Sequence, residues 1–370
     1  MSDTTTAMWA KTGVSARLGI KYPSIQGPLG GLSSQRLTAA VSNYGGLGSF
    51  GAHGLNPGAI KDVIAELRSM TDKPFAVNLW VSMEDEGAKA SDEAAFKRSL
   101  TTLAPLIHSL GGTLPSYSPY APIKFEEQVR VLIDAKVPAF SFIYGIPPKE
   151  LLDECRAAGI VIIGTATTPD EALELQKANV DVITASGFEA GGHRGSFLRA
   201  SEDSLTGTFS LVPQVADLVS VPVVAAGGIA DARGIVAAFA LGAEGVQIGT
   251  AFLACEESGA SPAHRAALLG GQAGQTALTR GFTGRLGRGI KNRLLDTMNA
   301  PGVDILPYPL QRFLMRNISA PAENSARQEL IPMWAGQSAN LAHHTRATEL
   351  LDTLVLGVSA MINGHFFRNG

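Results

Sequence analysis

Short apolar runs that end in small or polar residues recur along the chain, and each is followed by a segment with helical spacing. The runs are "PSIQGP" ending at Gln26-Gly27, "GGLGSFG" ending near Gly48-Ser49, "FAVNLW" carrying Asn78, and "VPAFSFIYG" ending near Tyr144-Gly145. They continue with "IVIIGTAT" ending at Gly164-Thr165, "VDVITASG" at Ser186-Gly187, "VPVVAAGG" at Gly227-Gly228 and "GVQIGT" at Gly249-Thr250. Each is rich in β-branched or small apolar residues, the composition of a strand buried on both faces. Between them the periodicity predicts helices over 33–43, 57–70, 147–158, 169–178 and 231–241. The fourth has Thr168 as cap and Pro169 at its first position; the fifth starts on Asp231 and stops at Gly242.

Eight strands alternating with helices predict a closed (β/α)₈ barrel, with an open doubly wound sheet as the competing arrangement. The rhythm breaks once, between "FAVNLW" and "VPAFSF". That interval holds a charged helical run from Glu84 to Ser109, the turn-rich "GGTLPSYSPYAP" and a helical pattern from Phe125 to Ala135, and reads as an insertion in the third βα loop. Residues 1–15 read as a poorly ordered tail. Beyond about 255 the chain is helical and irregular, with a basic segment "TRGFTGRLGRGIKNRL".

Composition narrows the function classes. The chain has 370 residues, 45% hydrophobic and 17% charged, with a formal net charge of −3. That balance gives no reason to expect nucleic acid as a partner. Cys155 and Cys255 show neither C-x-x-C spacing nor a disulfide framework, so a reducing cytoplasm is the default. No apolar run is long enough to span a bilayer, and the start lacks a signal-peptide core. The histidines show no metal-ligand spacing.

The chemistry concentrates at strand ends. "GLGSFG" (46–51) matches G-x-G-x-x-G, but it follows a helical pattern and lacks the acidic residue a dinucleotide site needs, so a glycine-rich second strand is the better reading. "VVAAGGIAD" and "VQIGTAFL" are, by count, strands seven and eight, whose turns commonly bind a phosphate monoester in such barrels. Thr250 adds a hydroxyl there; Gln247 faces either the core or a ring edge. Asn78, if buried, needs partners. "ITASGFEAGGHRGSF" (183–197) sets His193 among glycines, where an imidazole of near-neutral pKa suits a general base. Glu189 orients backbone amides or pairs with Arg194.

"ASGFEAGGHRG", "AAGGIAD" and "QIGTAFL", with "PSIQGPLGG" and "MWAGQ", closely resemble the nitronate monooxygenase family, formerly 2-nitropropane dioxygenases, in its class I form. The similarity runs from about Gly19 to about Ala347. The resemblance implies a barrel over 16–255 (insertion at about 82–135), a smaller, mainly helical substrate or lid domain over 256–335, and a C-terminal helical segment 336–370 packed back on the barrel. It implies non-covalent FMN held by Gln26, Gly27, Asn78, Ser186, Gly191, Gly192, Gly227, Gly228, Gln247, Ile248, Gly249 and Thr250. Many members have Gln where Ser186 stands. His193 matches the catalytic histidine, as base or hydrogen-bond partner. The implied reaction is oxidation of alkyl nitronates by O₂ to carbonyl compounds and nitrite, with no metal; homodimerisation is left open. The alternatives are an NAD(P)H-dependent FMN reductase of quinones or enoyl thioesters, and a flavin-free sugar-phosphate isomerase or aldolase.

Overall fold

The computed structural model describes residues 8–82, 85, 88–89, 91–118 and 123–364. Eight parallel strands form the central sheet: β1 (Ser24–Gln26), β2 (Gly48–Gly51), β3 (Phe75–Trp80), β4 (Ala139–Ile143), β5 (Val161–Ala166), β6 (Val182–Ser186), β8 (Val223–Ala226) and β9 (Gly245–Ile248). β1 pairs with β9 at one end, and a parallel bridge between Ile25 and Leu47 joins β1 to the chain entering β2 at the other. The eight runs read from the sequence are these eight strands, and the barrel is the fold.

Helices cross between the strands over Gln35–Tyr44, Pro57–Met70, Phe125–Ala135, Lys149–Ala157, Pro169–Lys177, Thr208–Leu218 and Ala232–Ala240. Thr168 accepts the Glu171 N–H, and Asp231 accepts those of Arg233 and Gly234, so both expected caps are made. The helix Phe125–Ala135 packs on β3 and on Pro57–Met70 as the ordinary crossover of the third unit. What interrupts the rhythm is therefore the segment before it, which contains the helix Glu93–Ser109; 84 and most of its neighbours lie outside the described residues.

From residue 8 on, the N-terminal segment differs from the expected loose tail; residues 1–7 lie outside the described residues. A helix at Gly13–Leu18 puts Val14 and Leu18 into a buried cluster with Ile25, Leu47, Ala76, Ala139, Ile163, Val182 and Val224, one residue from or beside nearly every strand. It closes the floor of the barrel, and Gly13 N–H donates to Glu244 at 2.6 Å. Apolar side chains inside the barrel leave it a packed core, not a channel.

Beyond the barrel, the chain is not only helical. β10 (Thr276–Thr279) and β11 (Gly287–Ile290) form an antiparallel pair, and β11 also pairs with β7 (Gly192–His193), with His193 opposite Gly287. The helix Ala347–Ile362 lies against Ala232–Ala240, so closely that a Cβ on Gly357 would stand 2.6 Å from that of Ala232. Among the described residues, no helix is long and apolar enough to cross a membrane.

Candidate active site

A cleft opens at the C-terminal ends of the strands, where a barrel places its variable loops. Gly27, Asn78, Thr165, Ser186, Gly227–Gly228, Gln247, Gly249 and Thr250 line it from the strand ends, and Gly191, Gly192 and His193 from the loop after β6. Two expected residues stand elsewhere. Gln26 is fully buried, with Oε1 accepting Ser49 N–H at 3.0 Å, and Ile248 is buried with its carbonyl on Gly27 N–H at 2.8 Å. Both shape the strand ends behind the lining.

The glycines have separate reasons. Gly227 and Gly228 have φ of 102° and 72°, and a Cβ on Gly227 would stand 2.9 Å from the Gly187 carbonyl oxygen. Side chains there would be strained and would close the turn. The helix behind this turn is already capped by its own Asp231, so its first N–H groups are not free for an anion. Thr250 Oγ1 accepts Gly336 N–H at 2.9 Å and keeps its own proton to give.

Asn78 is buried and donates to Ser141 Oγ at 2.9 Å, so its amide is fixed from one side. Arg194 does not pair with Glu189. Its guanidinium donates to the carbonyls of Ser204, Ser186 and Thr167. Glu189 takes Thr208 N–H and Oγ1 at 2.8 and 2.9 Å, capping the helix Thr208–Leu218. Buried Glu171 receives Thr167 N–H and Phe197 N–H, both at 2.6 Å. The His193 loop is thus tied on both sides by groups with local backbone partners.

His193 is half-buried among rings: Trp334 at 4.8 Å and Trp80 edge-on at 5.0 Å between centroids. Its Nε2 lies 2.7 Å from Thr283 Oγ1. Behind Trp80 is a cationic layer. Buried Arg285 lies over Tyr144 and Tyr308 at 4.0 and 4.5 Å and pairs with Asp85 at 2.8 Å. Arg312 donates to Tyr308 Oη at 3.2 Å and to Nε2 of His53, whose ring stacks on Trp80 at 3.7 Å. Burial, then Arg285 and Arg312, push the His193 imidazole down to about 3. This direction runs against the near-neutral titration expected from the sequence: burial comes first, and the two arginines that add to it lie over ninety positions away in the chain.

The lining contains no Asp, Glu or Lys, and His193 is its one ionisable side chain among the described residues. No cluster of three or more potential metal ligands occurs among them either.

The chain is similar to known proteins over nearly its whole length. The family model described as nitronate monooxygenase matches residues 11–357. This chain belongs to the nitronate monooxygenase family. A probable nitronate monooxygenase of Staphylococcus aureus (strain Newman) is 40% identical over 94% of this chain and 97% of its own length. Among solved structures, nitroalkane oxidase from Streptomyces ansochromogenes is 33% identical with a TM-score of 0.85, covering 95% of this chain and 99% of that one. FabK from Thermotoga maritima is 29% identical with a TM-score of 0.74, covering 95% and 97%. The nitronate monooxygenase assignment makes this chain an oxidoreductase with a small-molecule substrate.

Trp80, Trp334, Thr165, Thr283, Arg285 and Arg312 were not among the residues singled out for the site. Trp80 had a signal: it lies two places beyond Asn78 on a strand, hence on the same face. Trp334 lies within "MWAGQ". Thr283 and Arg285 lie in the basic segment "TRGFTGRLGRGIKNRL", whose pattern does not point to the site, and Arg312 had no signal.

Proposed function

We propose that this chain catalyses FMN-dependent oxidation of alkyl nitronates by O₂ to carbonyl compounds and nitrite. The observation that carries this reading is the lining itself: one cleft runs from the two glycine turns to His193, with no Lys or carboxylate in its wall. A carbonyl-attacking lysine or an acid–base carboxylate pair would be needed by the isomerase or aldolase alternative. The wall supplies neither.

The residues fit FMN. Gly227, Gly228, Gly249 and Thr250 offer main-chain N–H groups and a hydroxyl to a phosphate monoester, as anion-binding turns do. Gln247, Asn78 and the bare backbone of Gly191 suit a flat polar ring system. A Cβ on Gly191 would fall 2.5 Å from Ala335 C, so this backbone has no room for a side chain. When bound, FMN supplies the electron acceptor and the centre that meets O₂. The protein supplies position and charge.

Arg285 and Arg312 lie behind Trp80; Asp85 offsets Arg285, which leaves Arg312 as the positive charge without an ion-pair partner among the described residues, and the cleft wall itself holds no carboxylate. An anion is favoured at this end of the cleft. A nitronate is such an anion, whereas a neutral nitroalkane must first lose a proton. His193, depressed to about 3, is neutral at ordinary pH and a weak base. Its contact with substrate is best read as a hydrogen bond to the nitro oxygens.

The test is an absorbance spectrum of the purified protein, followed by anaerobic mixing with an alkyl nitronate and, separately, with NADH or NADPH. Flavin bleaching by the nitronate, with O₂ uptake and nitrite in air, is expected. A colourless protein, or bleaching by reduced nicotinamide alone, overturns the reading, the latter in favour of the reductase alternative.

A further inference from the structure

Thr283 is buried in the turn between β10 and β11 and reaches His193 only because β11 pairs with β7. The turn is held firmly. Gln311 Nε2 donates to the Gly281 carbonyl at 2.9 Å, and Arg280 makes a bidentate pair with Glu202 at 2.8 and 2.9 Å. Gly284, with φ of 99°, packs where a Cβ would meet Tyr308 N at 2.4 Å. Thr283 Oγ1 accordingly has little freedom to leave the imidazole.

Three polar groups surround that oxygen: His193 Nε2 at 2.7 Å, Arg285 N–H at 3.4 Å and the Arg285 carbonyl at 3.5 Å. The Arg285 amide can only donate, so Oγ1 accepts there. The hydroxyl proton then has two destinations. Given to Nε2, it makes a short bond; given to the carbonyl, it spans a distance at the limit of hydrogen bonding. The first leaves Nε2 as acceptor and the ring proton on Nδ1. Among the described residues, the hydrogen bond of the His193 ring is the one at Nε2, which leaves Nδ1 as the nitrogen for a ligand.

We infer that Thr283 is a positioning residue that sets the tautomer of His193, fixing the proton on Nδ1 so that the ring offers a donor, not a base, to its substrate. The inference rests on the nitronate reading for the identity of that substrate, but the tautomer itself is independent of it. Trp334 and Trp80 flank the ring and oppose a flip that would put Cε1 where Nε2 meets Thr283. The consequence is a preference for preformed nitronate anions over neutral nitroalkanes, which a donor at Nδ1 cannot deprotonate.

The experiment uses the holoenzyme labelled with ¹⁵N-histidine, with the His193 signals assigned by their loss in His193→Asn. Long-range ¹H–¹⁵N correlations at neutral pH are expected to show Nδ1 protonated and Nε2 bare. Thr283→Val, close in shape, is expected to shift His193 toward the other tautomer and to lower kcat/KM for an alkyl nitronate about 10–100-fold with flavin content unchanged. Thr283→Ser is expected to restore both. A wild-type ring protonated on Nε2 overturns the inference, as does a Thr283→Val enzyme with wild-type tautomer and wild-type kcat/KM. If Thr283→Val does not fold, the wild-type spectrum and the Thr283→Ser enzyme decide: a serine enzyme with the wild-type tautomer supports the inference, and one with the other tautomer overturns it. A protein with the Nδ1–H tautomer that turns over no nitronate would sink the functional reading while leaving the tautomer assignment standing.

Discussion

Gly191 and Gly192 are neighbours that resist a methyl group for different reasons, and exchanging each for alanine separates the two. Gly191 has an ordinary backbone conformation, so Gly191→Ala carries no dihedral penalty. Its new Cβ would lie 2.5 Å from both Ala335 C and Gly336 N. Both are backbone atoms and cannot rotate away, so the strap at 335–336 has to retreat by about 0.5–1 Å to reach normal contact. Three hydrogen bonds hold that strap over the cleft: Gln337 N–H to the Glu189 carbonyl at 2.9 Å, Gly336 N–H to Thr250 Oγ1 at 2.9 Å and Ser338 Oγ–H to the Gly228 carbonyl at 2.6 Å. Losing all three costs about 1.5–4.5 kcal/mol at ~0.5–1.5 kcal/mol each. Gly192 has φ of 77° and open space where its Cβ would go, so Gly192→Ala costs only backbone strain, about 1–2 kcal/mol. Urea unfolding of both variants, with flavin content after desalting, is the assay. Gly191→Ala is expected to be the less stable and to lose flavin, because the strap that yields also touches Thr250 and Gly228. Equal stability of Gly191→Ala and wild type, or a larger loss in Gly192→Ala, would refute this account of the strap.

Other expectations follow from the same geometry. His193→Asn is expected to keep its flavin and lose about 10²–10³ in kcat/KM for a nitronate; full activity would remove the ring from the mechanism. Because burial and the two arginines hold His193 at about 3, the pH profile with a preformed nitronate is expected to show no inflection from this residue between pH 5 and 8. An inflection there that disappears in His193→Asn would contradict it. Gly228→Val, at φ of 72°, is expected to purify without flavin, and unchanged flavin content would count against the phosphate assignment. Acid stability is the last: His193 near 3 and His264 near 4 are both depressed from the ordinary 6.5, so the unfolded state binds more protons in that window. Stability is expected to fall as pH drops below 6.5, and a denaturation midpoint that is flat between pH 7 and 4.5 would show that these rings are not held neutral in the native state.

The sequence by itself determined the barrel and the cleft's floor. Strand identity is a local property: "VDVITASG" or "VPVVAAGG" is apolar and β-branched until its last residues and then turns, whatever lies beside it. Gly191, Gly227, Gly228 and Gly249 were legible as cleft lining for the same reason, since tight turns at strand ends write glycine into the local sequence. What only the tertiary structure decided is how the histidine behaves. Gly192–His193 becomes a strand because Gly287–Arg288 lies beside it, and two residues that short carry no strand signal of their own. Thr283, Arg285 and Arg312 reach His193 or its pKa from the far side of the chain. Glu189 and Arg194, which look like a local pair, go instead to a helix terminus and to three carbonyls. The physical reason is the same in each case. Local pattern fixes backbone conformation, whereas burial, charge and proton position are sums over neighbours that meet only when the barrel and the β10–β11 hairpin close on the same loop.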